Sequence, residues 1–194
     1  MSAGHGHGPD HGHATPENKR IALLIALLAL VLAFSETLGK ASQTTALDAN
    51  IEASNLWAFF QAKTIRMTTV RSFAEAAEVE ARYMPPGEPK SALDKQIETW
   101  KKAAARYDSE LETQEGRKEL SARAKSAGEK RDRALAAYHH YELGSAAVQI
   151  AIVLASAAII TGIGALVWLA AGLGLVGIGF AVIGFFFPTA VHLF

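Results

Sequence analysis

"IALLIALLALVLAFSETLGK", residues 21–40, decides what kind of molecule this chain builds. From Ile21 to Ser35 it carries no charge, and with Glu36 at an interface its apolar length extends to Leu38. That is close to the roughly 20 residues a helix needs to cross a bilayer core. Lys19 and Arg20 precede it as they would in a secretory signal, but the polar leader is long and no small-x-small cleavage site follows. The segment therefore reads as a retained span.

The far end of the chain repeats the pattern. No Asp, Glu, Lys or Arg follows Glu142, and the stretch from Leu143 to Phe194 is too long for one crossing. It suits two, joined by a tight turn at "TGIG", Thr161–Gly164. Three transmembrane helices are expected, at 19–39, 143–161 and 165–188, after a leader at 1–18. Lys and Arg together number 19, as do Asp and Glu, so overall charge gives no reason to expect a nucleic acid or other polyion as partner. The absence of cysteine excludes disulfides and thiolate chemistry.

Between the first and second spans, residues 40–142 are rich in Ala, Glu, Lys and Arg and carry one strong break, "PPGEP" at 85–89. Proline fixes its own backbone angle and disfavours helix in the residue before it, so the chain should turn there. Leu56, Phe60, Met67, Val70, Ala74, Ala77, Ala81 and Met84 recur at alternating four- and three-residue spacing, interrupted only by Lys63. Leu93, Ile97, Trp100, Ala104, Tyr107 and Leu111 answer on the return arm, and the pattern resumes in another frame at Leu120, Ala124 and Ala127. The expected fold is an all-α membrane protein in which a long antiparallel helical hairpin, with coiled-coil-like spacing and its corner at 85–89, joins the first and second spans. At about 1.5 Å per residue such a hairpin reaches roughly 65 to 80 Å. Gly116 and Gly128 are expected to weaken the return arm and allow a bend.

The last two spans carry stripes of small residues, with Gly144, Ala147, Ala151, Ala155, Ala158 and Gly162 on one and Ala170, Gly174, Gly177, Ala181 and Gly184 on the other. Small faces let helix backbones approach closely in lipid, where packing drives association. Ala151, Ala155, Gly174, Gly177 and Gly184 are the expected packing positions, within one chain or between copies. Gln149, Ser156 and Thr161 are candidate interhelical hydrogen-bond formers. Glu36 and Lys40 read as an interfacial ion pair at a helix end.

Two histidine groups invite a chemical reading. "HGHGPDHGH" supplies His5, His7, His11 and His13, and imidazole suits zinc, nickel or copper. Metal sites usually hold their ligands on folded elements, and this leader has almost no apolar residues with which to fold, so a solvated leader is the competing reading. His139 and His140, between Tyr138 and Tyr141, fit an interfacial anchor better than a ligand set or proton relay. No phosphate-cradling glycine loop, nucleophile elbow or carboxylate pair stands on a suitable element, so no enzyme is expected. A pore is disfavoured because the spans lack a polar stripe suited to water.

The most distinctive stretch is "ALDANIEASNLWAFFQAKTIR", 46–66, followed far downstream by "VQIAIVLASAAII", 148–160. On these the chain resembles the uncharacterised bacterial membrane-protein family catalogued as domain of unknown function 4337. The resemblance implies the same plan throughout: a leader often rich in histidine, one span, a charged helical middle and a closing pair of spans. It implies no activity. The chain departs from the family at Thr161–Gly164, where the turn lacks the family's basic residues.

Leu56, Trp57, Phe59 and Phe60 spread over more than one face of their helix, more apolar surface than one hairpin partner covers. They are the candidate contact for another subunit or another membrane protein complex, with local packing on the chain's own return arm as the competing reading. Lys40, Arg123, Lys125, Lys130, Arg131 and Arg133 on the hairpin side outnumber Lys19 and Arg20, which favours a cytoplasmic hairpin in a bacterial inner membrane. The expected function is a non-enzymatic, homo-oligomeric membrane scaffold that presents its helical stalk to a partner. The alternative is a metal-binding membrane protein using the leader.

Overall fold

A computed structural model describes residues 16–190. Among them the chain is all-helical, with four helices and no strand. These are α1 (Pro16–Tyr83), α2 (Glu88–Asp108), α3 (Arg117–Thr161) and α4 (Gly164–Phe186). Three of them, α1, α3 and α4, contain stretches long and apolar enough to cross a membrane.

Local chemistry sets most of the ends. Pro16 opens α1 at a position where its missing N–H costs nothing. Pro85 and Pro86 stop it, and Pro89 lies in the first turn of α2. Thr161 ends α3, and Gly162 follows with φ 70, the left-handed conformation glycine adopts without steric cost. The expected turn at Thr161–Gly164 thus falls where the apolar run breaks. The first span is not a separate helix, because α1 continues without interruption from Pro16 to Tyr83.

The described residues divide into two compact units, one from 16–42 and 136–190, the other from 43–135. In the first, Leu28, Val148 and Ala151 form one buried cluster, and Ile21, Ala155, Ala158 and Ala170 form another. The α4 residues that turn inward are Ala170, Gly174, Gly177 and Gly184. Large apolar side chains face out instead, among them Leu27, Phe34, Val153, Trp168 and Leu175.

In the second unit the partners run in opposite sequence order. Ala74, Ala77 and Ala81 of α1 pack on Ile97, while Ala53 and Leu56 pack on Leu120, Ala124 and Ala127 of α3. Full burial of one side chain such as Leu120 contributes about 1.5–3 kcal/mol.

The return arm departs from expectation in two ways. It breaks completely between Asp108 and Arg117, leaving Leu111 74% exposed instead of on the apolar stripe. At Gly128 the helix passes straight through, and nothing lies within 4 Å of a Cβ built there.

Candidate functional site

Lys63 is the residue that interrupts the apolar stripe of α1, and it is buried with 6% of its surface exposed. Burial of an ammonium is costly unless partners surround it. Here the break between α2 and α3 supplies them. Its Nζ lies 3.8 Å from Glu110 Oε2 and 3.7 Å from Glu115 Oε2. It also sits 5.2 Å from the centroid of the Phe59 ring and 5.7 Å from that of Tyr107, within reach of a cation–π attraction.

The rest of the segment is tied down by the first turn of α3. Glu119 accepts a 2.6 Å hydrogen bond from the Ser109 hydroxyl and a 3.2 Å bond from the Glu110 amide. The Ser109 hydroxyl, aided by the backbone amides of Glu119 and Glu110, holds the Glu119 carboxyl below its usual range against the opposing effect of desolvation. Asp108 binds Lys118 at 2.8 Å and Arg117 at 3.2 Å. The Lys118 hydrogen bond is the main reason its carboxyl is also held low. The Arg117 guanidinium, in turn, lies 5.5 Å from the Phe60 centroid.

Two backbone details make this junction possible. Gly116 is buried, and a Cβ there would meet the Glu119 carboxylate, the Glu110 amide and, at 2.6 Å, Ser109 Cα. Gln114 has φ 57, left-handed for a side-chain-bearing residue, with its amide bonded to Glu110 O at 3.0 Å. Gly116 therefore marks a close approach of chain, not merely a weak spot in a helix. The junction displays Leu111 and Glu112 to the outside.

The aromatic segment is split by this packing. Leu56 is buried in the α1–α3 core, and Phe59 and Phe60 are partly covered against it. Trp57 stays 38% exposed and meets Phe60 edge-on, 5.4 Å between centroids. Of the four expected contact residues, Trp57 offers the most surface to a partner.

In the other unit the five expected packing positions, Ala151, Ala155, Gly174, Gly177 and Gly184, are all buried, each against its own neighbours. Ala151 and Ala155 are fully buried on α3. A Cβ at Gly177 would lie 2.5 Å from Val148 Cγ2 and 2.8 Å from the Gly144 carbonyl oxygen. At Gly174 it would lie 2.5 Å from Leu28 Cδ2, and at Gly184 it would lie 3.0 Å from His140 Cβ.

That last contact redirects the histidine pair. His140 and Tyr141 are 1% and 3% exposed, so they pack inward instead of keeping polar tips in water. His140 Nδ1 lies 2.7 Å from the Ala136 carbonyl, and its Nε2 has no protein partner among the described residues. Tyr138 and His139 stay on the outer side beside Glu142.

Of the expected interhelical bonds, Gln149 makes one, donating to Glu36 at 3.2 Å. Ser156 and Thr161 donate to carbonyls of their own helix, Ile152 and Ala157, at 2.8 Å each. His5, His7, His11 and His13 lie outside the described residues. Among the described residues no group of three or more His, Asp or Glu converges on a point that could hold a metal ion.

Among the described residues the structure is all-helical, with three helices long and apolar enough to span a membrane. A family model described as "Domain of unknown function (DUF4337)" matches residues 17–187, and the chain belongs to that family. No curated protein and no solved structure matches it.

Sequence reasoning registered Lys63 as an interruption and missed its role as the centre of the junction. The signal was present in two places: one charge on an otherwise apolar stripe, and a change of frame across the polar stretch "DSELETQEG" opposite it.

Proposed function

We propose that this protein is a non-enzymatic integral membrane scaffold that works as a homo-oligomer and presents the 43–135 unit to a partner. In this reading α1, α3 and α4 each cross the bilayer, in a bacterial inner membrane, with the charged helical hairpin on the cytoplasmic side. Lys40, Arg123, Lys125 and Lys130 support that side by their charge.

One observation carries the reading. Unit 43–135 leaves large apolar side chains uncovered on α1, with Ile51 58% and Ile65 66% exposed. Apolar surface of that kind outside the membrane-length stretches is the mark of a protein contact.

The test is the mass of the full chain extracted with its lipids into polymer-bounded discs. A defined oligomer is expected, and a monodisperse monomer overturns the scaffold reading.

A further inference from the structure

Glu36 of α1 and Gln149 of α3 meet on the outer side of their helices, both exposed, with the Gln149 amide donating to Glu36 Oε1 at 3.2 Å. The packing beside them fixes the height of that contact. Val148, the residue before Gln149, lies against Gly177, where an added Cβ would be 2.5 Å from its Cγ2. Gly177 is well inside the 23-residue α4, about 13 Å from the nearer end of that helix. With α4 crossing the bilayer, Gln149 stands in the hydrocarbon core and draws the Glu36 carboxyl below the headgroups.

Chain direction explains why the two side chains find each other. In this unit Ile21 packs with Ala155 and Ala158, Leu28 with Val148 and Ala151, and Gly39 faces Tyr141, so α1 and α3 run antiparallel. Helical side chains lean toward the N-terminus of their own helix. Glu36 therefore leans deeper into the span, and Gln149 leans back to meet it. Two hydroxyls adjoin the pair along the chain. Ser35 is 1% exposed, with an Oγ that has no protein partner among the described residues, and Ser145, one turn before Gln149, is also buried.

A carboxylate held in lipid by a neutral amide lacks the compensation an ion needs, whereas the uncharged acid makes no such demand. We propose that Glu36 and Gln149 form a proton-binding site within the membrane. Glu36 keeps its proton while hydrogen-bonded to Gln149, and on giving it up to water it turns outward to the headgroup level. The site rests on the membrane-crossing reading and adds to it a reversible proton uptake coupled to one side-chain movement. Lys40, one turn nearer the hairpin on α1, is the charge that the outward-turned carboxylate meets. On α3 the titratable groups at the level of Gly39 are His139, His140, Tyr141 and Glu142, and α4 carries none. A metal ion is a poorer fit, because one carboxyl beside an amide N–H supplies too few oxygens to surround it.

Dicyclohexylcarbodiimide, which partitions into lipid, tests the site on the full chain in vesicles at neutral pH. The acid adds across one C=N bond: its oxygen bonds the central carbon, its proton passes to nitrogen, and an acyl shift to nitrogen leaves a stable N-acylurea read by mass spectrometry. Glu36 should be labelled roughly tenfold more than the water-exposed Glu52 and Glu129. Glu36→Gln should remove the label, and Gln149→Leu should transfer it to a water-soluble carbodiimide, because nothing then holds the carboxyl inward. Preferential labelling of Glu36 by the water-soluble reagent in the natural chain overturns the site, as does labelling by neither. Label that appears only in Lys40→Gln reveals an ion pair instead and overturns it too, and protection by sodium ions overturns the proton as ligand. Where such a failure occurs in a protein that stays in membranes washed with alkaline carbonate, the crossing stands without the site; release by that wash rejects both.

Discussion

The two units differ less in what they bury than in what they turn outward. In residues 16–42 and 136–190 the small residues are inside, Gly174, Gly177, Ala151 and Ala155, and the bulk of Phe34, Trp168 and Leu175 is outside. In 43–135 the interior is also rich in alanine, Ala53, Ala74 and Ala124 among them, with Leu56, Met67, Ile97, Leu120 and even a lysine, while Glu and Lys cover much of the exterior. Water drives apolar bulk inward, whereas lipid offers large apolar groups as good a home as a protein core does, leaving close backbone packing to hold helices together. The pattern of what is small, rather than what is apolar, identifies the inner face of the first unit.

That contrast can be broken from either side. The largest effect is expected at Gly177→Leu, where the new side chain starts from a Cβ 2.8 Å from a backbone oxygen that cannot swing aside. A loss of about 3 kcal/mol or more is expected, read by denaturant unfolding in bicelles. Gly172→Leu and Gly179→Leu, with nothing within 4 Å of their Cβ positions, should unfold like the natural chain. If all three behave alike, the close approach at Gly177 is wrong.

In the other unit the matching injury is a deletion of bulk. Leu120→Ala should cost about 2–4 kcal/mol, because its side chain is fully buried against Ala53 and Leu56. Lys63→Ala comes next, at about 1–2 kcal/mol, below the usual cost of breaking a buried pair because Glu115 is half exposed and rehydrates. Its clearest readout is protease cleavage within 109–116 at a rate well above that of the natural chain.

Acid should sharpen the contrast with a smaller effect. Asp108 and Glu119 are both held below the usual carboxylate range, so their folded forms bind fewer protons than the unfolded chain. Their stabilisation is complete at neutral pH and is lost as pH falls below about 4, through their folded-state values. Amide exchange, corrected for its intrinsic pH dependence, should accelerate at 109–120 before it does in the Leu120–Ala127 core. Smallest of all is Lys101→Ala. Its partner Glu78 raises the Lys101 pKa, yet the pair stands in solvent, and no measurable change in unfolding is expected.

The fold was legible wherever one residue type settles the backbone. Pro85 and Pro86 end α1, Gly162 turns the chain between α3 and α4, and the three- and four-residue spacing of Ala74, Ala77 and Ala81 marks their buried face. The break after Asp108 showed only as a change of frame, because Glu, Leu and Gln in "SELETQEG" are good helix formers and propensity alone favours continuing. What stops the helix is tertiary: Lys63 draws Glu110 and Glu115 from across the α1 surface, and Glu119 fastens Ser109. The inward turn of His140 was hidden for a similar reason. "YHHY" is symmetric as a string, and His140 enters because it shares the buried face of α3 with Ala137, Gly144 and Val148, against the bare backbone of Gly184.

Between Gly39 and Tyr83, α1 contains no glycine or proline where its phase could be reset. Deleting one residue between Leu56 and Ala74 therefore turns everything downstream by about 100°. Ala74, Ala77 and Ala81 would then lose Ile97 while Leu56 kept Leu120. Removing seven residues shifts the phase by only about 20°. A seven-residue change also slides the downstream face about 10 Å along the axis, so over Leu56–Ala74 it is tolerated only with a matching change in the return arm, and a change that alters the phase is not tolerated at all.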